Sequence, residues 1–234
     1  MFRKSQELYD AIYAWKDYPA EVERLVSIIR ERSPQARSLL DVACGTGKHL
    51  ELLQELFRVE GVDLDPEMIA LSRQRLGAEV PLHVGDMTEL DLGRTFDVVT
   101  CLFSSIGYVR SRDALRRALV AMTRHASPGG LVIVEPWFFP DAWTPGHVHA
   151  IFVDQDDLKV ARMSVSEPLD DPLTVRFDYL VATPQGVEHF AEDHVMGMFT
   201  HDDYVGAYRA AGLDVEHDPE GLMGRGLYMG RKPG

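Results

Sequence analysis

Apolar and polar positions follow two rhythms along this chain, and the switch between them divides it. From residue 20 to 32, Val22, Leu25, Val26 and Ile29 recur at helical spacing. Short apolar runs then alternate with helical patterns. Ser38–Ala43, Val59–Leu64, Val80–Val84, Phe96–Leu102 and Leu131–Glu135 read as strands, and His49–Phe57, Asp65 to about Leu76, and Arg112–His125 read as helices. Phe96–Leu102 is almost continuously apolar, as expected of a strand covered by helices on both faces. Asp65-Pro66-Glu67 offers an N-cap and a proline at the first helical position. Ser127-Pro128-Gly129-Gly130 reads as a turn before the fifth strand. Five strand–helix alternations predict a doubly wound, mostly parallel α/β sheet with right-handed crossovers.

After Glu135 the period changes from helical to two. His147–Val153, Lys159–Glu167, Leu173–Ala182 and Val187–Phe199 are β-rich, and the turns Asp170-Asp171-Pro172 and Thr183-Pro184-Gln185-Gly186 separate the last three. The pattern predicts an antiparallel β meander inserted after the fifth strand. Asp202–Ala211 returns to helix, and Leu213–His217 and Leu227–Arg231 read as closing strands, for seven in the main sheet. The expected organisation is a core with an N-terminal helical cap over residues 1–136, an inserted β subdomain over 137–200, and a closing helix and strands over 201–234. The meander's apolar face, with Val175, Phe177, Tyr179 and Val181, must bury against something. It lids the site, forms a homodimer interface, or does both.

Composition narrows the function. A formal net charge of −13 argues against sequence-blind nucleic-acid binding, which needs a basic footprint. No apolar run reaches the roughly 20 residues of a membrane span, and Met1–Glu7 carries no apolar leader core. The two cysteines, Cys44 and Cys101, lie in apolar strand-like segments and read as small reduced core residues of a cytoplasmic protein.

The most informative local feature is Asp41-Val42-Ala43-Cys44-Gly45-Thr46-Gly47, between the first strand and the first crossover helix. A tight glycine turn at the carboxyl end of a parallel strand, opening into a helix, is a nucleotide-type ligand site. A dinucleotide fingerprint needs a third glycine, where this chain has Leu50, and no P-loop lysine follows at the required spacing. Asp63, at the tip of the second strand, can accept hydrogen bonds from both hydroxyls of a ribose. Asp86, after the third strand, can accept from an exocyclic adenine amine.

Glycine turn, ribose acid and adenine acid in that order resemble the class I S-adenosylmethionine-dependent methyltransferases, which share a Rossmann-like sheet. The donor lacks a pyrophosphate and carries a sulfonium and an ammonium, which an acidic first motif suits. The expected cofactor residues are Tyr13, Asp41, Ala43, Gly45, Thr46, Gly47, Asp63, Leu64, Met68, Asp86 and Met87. The strand before Ser104 ends in Leu102-Phe103-Ser104-Ser105-Ile106-Gly107-Tyr108, not in the Pro-Pro-Tyr-like loop of nucleic-acid amino methyltransferases.

Tyr9-Asp10-Ala11-Ile12-Tyr13, Lys16-Asp17-Tyr18, Phe103–Tyr108, Glu135-Pro136-Trp137-Phe138-Phe139-Pro140 and Gly224-Arg225-Gly226-Leu227 resemble bacterial nucleotide-aminosugar N-methyltransferases, which make N,N-dimethylated deoxysugars from dTDP-3-amino-3,6-dideoxyhexoses. The resemblance spans nearly the whole chain. It departs at Ala14-Trp15, where those enzymes usually carry glycine and arginine. It implies that Tyr13 closes the site over the methyl donor, that Tyr108 lies near the transferred methyl at a position that is His in some relatives, and that Arg225 binds the nucleotide pyrophosphate. Glu135 is a candidate for orienting the amine or taking its proton, against a purely structural hydrogen bond. Trp137 is substrate wall or core.

The alternatives are a methyltransferase for another small metabolite and a non-catalytic nucleotide-binding domain. A metal site built from His147, His149, His189, Asp193 and His194 is disfavoured, because no spacing matches a zinc pattern.

Overall fold

A computed structural model describes residues 8–234. The leader reading of Met1–Glu7 lies outside them. The chain runs α1 (Tyr9–Ile12), α2 (Tyr18–Arg32), β1 (Ser38–Val42), α3 (Lys48–Leu53), β2 (Arg58–Asp63), α4 (Pro66–Leu76), β3 (Leu82–Val84) and β4 (Phe96–Cys101). A 3-10 turn, Ser105–Val109, leads to α5 (Arg112–His125) and β5 (Ala126–Val134). Then come β6 (Val148–Gln155), β7 (Leu158–Val165), β8 (Leu173–Thr183), β9 (Gly186–Met196), α6 (His201–Ala210), β10 (Asp214–Asp218) and β11 (Leu227–Arg231).

The main sheet has seven strands in the order β10-β11-β5-β4-β1-β2-β3. β5, β4, β1, β2 and β3 pair in parallel, and β11 is antiparallel to both its neighbours. Period-two alternation sends successive residues to opposite faces. Leu40, Val42, Val99, Val132 and Val134 pack against α5 and α6, while Leu39, Val98, Leu131 and Ile133 pack against α2, α3 and α4. Both faces are covered, which is why these strands read as unbroken apolar runs. The helix starts are capped locally: Asp17 accepts from Ala20 N–H, Asp65 from Glu67 N–H, and Thr200 and Asp203 form a reciprocal capping box on α6.

Most elements differ from the sequence expectation by a few residues at an end, and three of the differences have a local cause. The helix read to Phe57 ends at Leu53, because Phe57 turns into the core under the Arg30 guanidinium. The third strand starts at Leu82, since Pro81 has no N–H to give the ladder. Ser127–Gly130 is not a separate turn but lies within β5, where the register against β4 jumps between the Phe96↔Ala126 and Val98↔Leu131 pairs.

The inserted segment is a four-stranded antiparallel sheet, β6-β7-β8-β9. Its inner face answers what the alternating residues bury against. Tyr179 and Val181, with Val153 and Val160, pack on Ile12 and its neighbours Leu8, Ala11 and Tyr13. Leu173 and Val175 pack on Met198, Trp137 and Trp143. A four-residue helix cannot sustain itself in water. The burial of Ile12, worth roughly 1.5–3 kcal/mol for an aliphatic side chain, helps explain why α1 exists. At its far end β9 is joined to the core: Gly197 N–H donates to Gly107 O at 2.7 Å. A Cβ on Gly107 would stand 2.7 Å from Met196 Cε and 3.2 Å from Trp137 Cβ, so a larger residue must push both aside.

Candidate active site

The carboxyl ends of β1, β2 and β4 converge on one hollow, lined by Tyr9, Tyr18, Asp41, Gly45, Thr46 and His49 from one side and Phe103 and Ser105 from the other. The glycine turn is left-handed at Ala43, Gly45 and Gly47. Gly47 caps α3 at φ 79°, and a Cβ there would stand 2.5 Å from Ser72 Oγ. Glycine at 47 thus lets the turn close against α4, and its positive φ suits a residue without a Cβ. Asp63 clamps the turn: its Oδ2 accepts from Gly45 N–H at 2.8 Å, and its Oδ1 from Asp65 N–H at 2.9 Å.

Asp41 is buried, and its Oδ1 accepts from Thr100 Oγ1 at 2.7 Å. Burial pushes its carboxyl up to about 6, against the opposing His49 and Thr100. Burial raises Asp63 as well. Two desolvated acids beside backbone N–H groups suit a cationic ligand, whose charge offsets their burial cost.

The N-terminal segment roofs this hollow. Asp10 accepts from Thr46 Oγ1 at 2.8 Å, and Arg75 binds both Asp10 and Thr46 O. The wholly buried Lys16 ammonium pairs with Glu21 and lies 4.4 Å from the Phe103 ring centroid. Glu21 also bonds His49 Nε2 at 3.0 Å. Burial opposes the Glu21 charge, but hydrogen bonds from His49 and Lys16 outweigh it and hold the carboxyl below its usual range. The Tyr13 ring meets Phe103 edge-on at 5.0 Å, and its hydroxyl accepts from Arg162 at 2.9 Å.

Beyond β4 the backbone is strained at Phe103 (φ 52°) and Ser104 (φ 61°), non-glycine residues in the left-handed region. Side chains hold it there. Glu135 Oε2 accepts from Phe103 N–H at 2.6 Å, and Ser104 Oγ donates to Pro136 O at 2.8 Å. Arg225 donates to Ser104 Oγ at 2.9 Å and lies 4.9 Å from the Phe138 ring centroid. Glu135 is fully buried, and its Oε1 has no hydrogen-bond partner among the described residues. Burial raises its carboxyl, with Lys16 opposing. The Tyr108 hydroxyl sits 2.8 Å from His194 Nδ1.

The fold therefore brings together Tyr13, Asp41, Ala43, Gly45, Thr46, Gly47 and Asp63. Leu64 is exposed just past the β2 tip, and Met68 is half-buried on the first turn of α4. Gly85 N–H donates to Asp63 O at 2.9 Å, which ties the Asp86–Met87 turn to that tip. Asp86 Oδ1 accepts from Thr88 N–H and Oγ1, so it also shapes its own turn. Met87 packs on the core. Trp137 contacts Phe138 and Trp143 at 5.7 Å each and joins a small core with Leu173 and Met198, which gives it a packing role whatever else it touches.

The scattered histidines do not converge. His189 bonds Asp178 on an exposed stretch, while His194 turns to Tyr108. Among the described residues no group of three or more His, Cys, Asp or Glu side chains could hold a metal, and no helix is long and apolar enough to cross a membrane. Cys44 and Cys101 are buried free thiols, and burial pushes both well up.

Sequence reading missed Asp10, Lys16, Glu21 and Arg162 as site residues. Arg162 carried a signal: it occupies the inward parity of β7 set by Leu158 and Val160, where a charge is costly.

This sheet order, with a glycine turn on β1 and an acid at the β2 tip, defines a class I methyltransferase that uses S-adenosylmethionine. The methyltransferase domain family matches residues 39–130. Over 96% of this chain and 89% of the relative, the sequence is 44% identical to the dTDP-3-amino-3,6-dideoxy-α-D-glucopyranose N,N-dimethyltransferase of Streptomyces fradiae. The solved structure of DesVI from Streptomyces venezuelae superposes with a TM-score of 0.92 at 40% identity, covering 99% of each chain. CalS10 from Micromonospora echinaspora, an amino pentose methyltransferase solved with S-adenosylmethionine bound, superposes with a TM-score of 0.88 at 38% identity over 96% of each chain. The chain belongs to the family of dTDP-aminosugar N,N-dimethyltransferases.

Proposed function

We propose that this enzyme transfers two methyl groups, one after the other, to the amino group of a nucleotide-linked deoxyaminosugar of the dTDP-3-amino-3,6-dideoxyhexose type. One observation carries the acceptor assignment. Arg225 stands beside the aromatic hollow with no ion pair among the described residues, held only by Ser104 Oγ. An unpaired guanidinium there is suited to a diphosphate.

The cofactor, when bound, supplies the electrophilic methyl of its sulfonium. In this reading Asp41, Ala43, Gly45, Thr46, Gly47 and Asp63 hold it, with Leu64, Met68, Asp86 and Met87 around its nucleoside end and Tyr13 closing over it. Tyr13 and Tyr108 flank the acceptor amine, and Trp137 and Arg225 contact the acceptor. Aminosugar amines lose a proton readily, so alignment does most of the work, on the order of 7–11 kcal/mol. Glu135 orients the amine through Phe103 or with its own Oε1.

The division into core, inserted sheet and closing elements belongs to the same reading. The outer face of the inserted sheet exposes Val148, Phe152, Val165, Leu180 and Val187, which supports self-association into a homodimer. The two buried free thiols support a reducing cytoplasmic setting.

The test is methyl transfer from labelled cofactor to a panel of dTDP-linked aminosugars, the same sugars without the nucleotide, and unrelated amines. Turnover of the nucleotide-linked sugars above the others supports the reading. Equal or better turnover of an amine lacking the nucleotide would sink it.

A further inference from the structure

Besides Arg162, the inserted sheet reaches the reaction centre through a side chain that the sequence offered only as a metal ligand. His194 lies on β9, opposite Val175 on β8, with its ring edge-on to Phe177 at 4.8 Å. Its Nδ1 is 2.8 Å from the Tyr108 hydroxyl. The 3-10 turn carrying Tyr108 is fastened to the same strand by the Gly197–Gly107 backbone bond. The turn is thus held at Gly107 by the residue that follows β9, and the Tyr108 side chain by β9 itself.

We propose that His194 is a positioning residue for methyl transfer. As a neutral imidazole it accepts the Tyr108 hydroxyl hydrogen, which turns the phenolic oxygen's lone pairs toward the acceptor amine. A phenol has one hydrogen and can still accept, so where that hydrogen points decides what the oxygen offers. As the amine nitrogen becomes an ammonium, its N–H groups become stronger donors. An oxygen fixed as acceptor therefore favours the transition state over the ground state. The proposal rests on the placement of Tyr108 beside the amine.

The surroundings keep His194 in the required form. Arg162 from β7 stands over Phe177 at 4.7 Å and donates to Tyr13 from α1. Glu192 on β9 lies 3.9 Å from His194 Nε2, too far to bond it, but its charge favours the tautomer that carries the ring proton on that nitrogen and leaves Nδ1 to accept. Tyr108 and Tyr179 are further titratable groups of this cluster among the described residues, and burial raises Tyr179. Burial first, and the Arg162 charge second, push His194 down to about 3.

The experiment is a double-mutant cycle between His194→Phe and Tyr108→Phe, with His194→Asn as the variant that keeps an acceptor near Nδ1. His194→Phe should lower kcat roughly 10- to 100-fold, the range for one hydrogen bond to a developing charge, with cofactor affinity unchanged. His194→Asn should recover most of that loss, and His194→Phe should cost little further once Tyr108 is Phe. Full additivity of the two changes would overturn the proposal, because a merely structural His194 costs the same with or without the Tyr108 oxygen. A Tyr108→Phe enzyme as fast as wild type would instead overturn the placement of Tyr108. One arm needs no turnover: the nitrogen-15 spectrum of His194 should show an unprotonated Nδ1 through the range about the ordinary histidine value of roughly 6.5. An imidazolium titrating there would also overturn the proposal.

Discussion

Replacing Asp41 with Asn tests the electrostatic logic of the cofactor turn. The carboxamide keeps an oxygen for Thr100 Oγ1, so the local hydrogen bond survives. It removes a buried carboxylate whose midpoint burial has moved from 3.8 to about 6. A raised acid binds its proton more tightly in the folded chain than in the unfolded one. The free enzyme therefore loses stability as pH climbs through the window from about 4 to about 6, on the order of 3 kcal/mol in all. A cationic donor offsets that cost only where Asp41 is ionised, about nine-tenths of molecules at pH 7 and about one-tenth at pH 5. Cofactor dissociation constants, measured by calorimetry across this range, should weaken roughly tenfold toward the acid end, about 1.4 kcal/mol. In Asp41→Asn the dependence should flatten toward whatever Asp63 contributes, and the free protein should melt higher at neutral pH than wild type. The reasoning fails if wild-type affinity is flat between those pH values, or if Asp41→Asn keeps the full slope.

Other perturbations have equally definite outcomes. Gly107→Ala puts a methyl against Met196 and Trp137, so melting should show a loss of about 1–3 kcal/mol, and steady-state kinetics a kcat reduced more than cofactor affinity. Glu135→Gln keeps an acceptor for Phe103 N–H while removing a desolvated charge, and should preserve or raise the melting temperature; Glu135→Ala strands that N–H and should cost about 1–3 kcal/mol. Phe152→Asp, a change on a side chain 69% exposed, should leave folding intact and yield monomers in sedimentation if the outer face of the inserted sheet joins two copies.

Much of this was legible because the determining interactions are local or periodic. The doubly covered strands show as apolar runs, and the inserted sheet shows as a change of period. The glycine turn carries its geometry in three adjacent positions, Gly45, Thr46 and Gly47, and the cap of α4 lies in Asp65-Pro66. What stayed hidden depends on distant partners. α1 is four residues long and takes its shape from Ile12 packing on Tyr179 and Val181, far along the chain. Asp10 gains meaning only from Thr46 and Arg75, and His194 only from Tyr108. Asp86, expected as the adenine acid, also bonds Thr88 in a local turn that its role as an acceptor did not announce. Gly129-Gly130 looks like punctuation in the sequence, but β5 absorbs the pair as a register jump against β4.

The site at the carboxyl ends of β1, β2 and β4 should dimethylate a nucleotide-linked aminosugar. The most direct measurement is the stoichiometry of spent cofactor to sugar in a reaction run to completion with a dTDP-3-amino-3,6-dideoxyhexose, with the product's mass read alongside. The account predicts two spent cofactors per sugar and both new methyl groups on the amino nitrogen. No methylated sugar, or methyl groups found on oxygen, would contradict it.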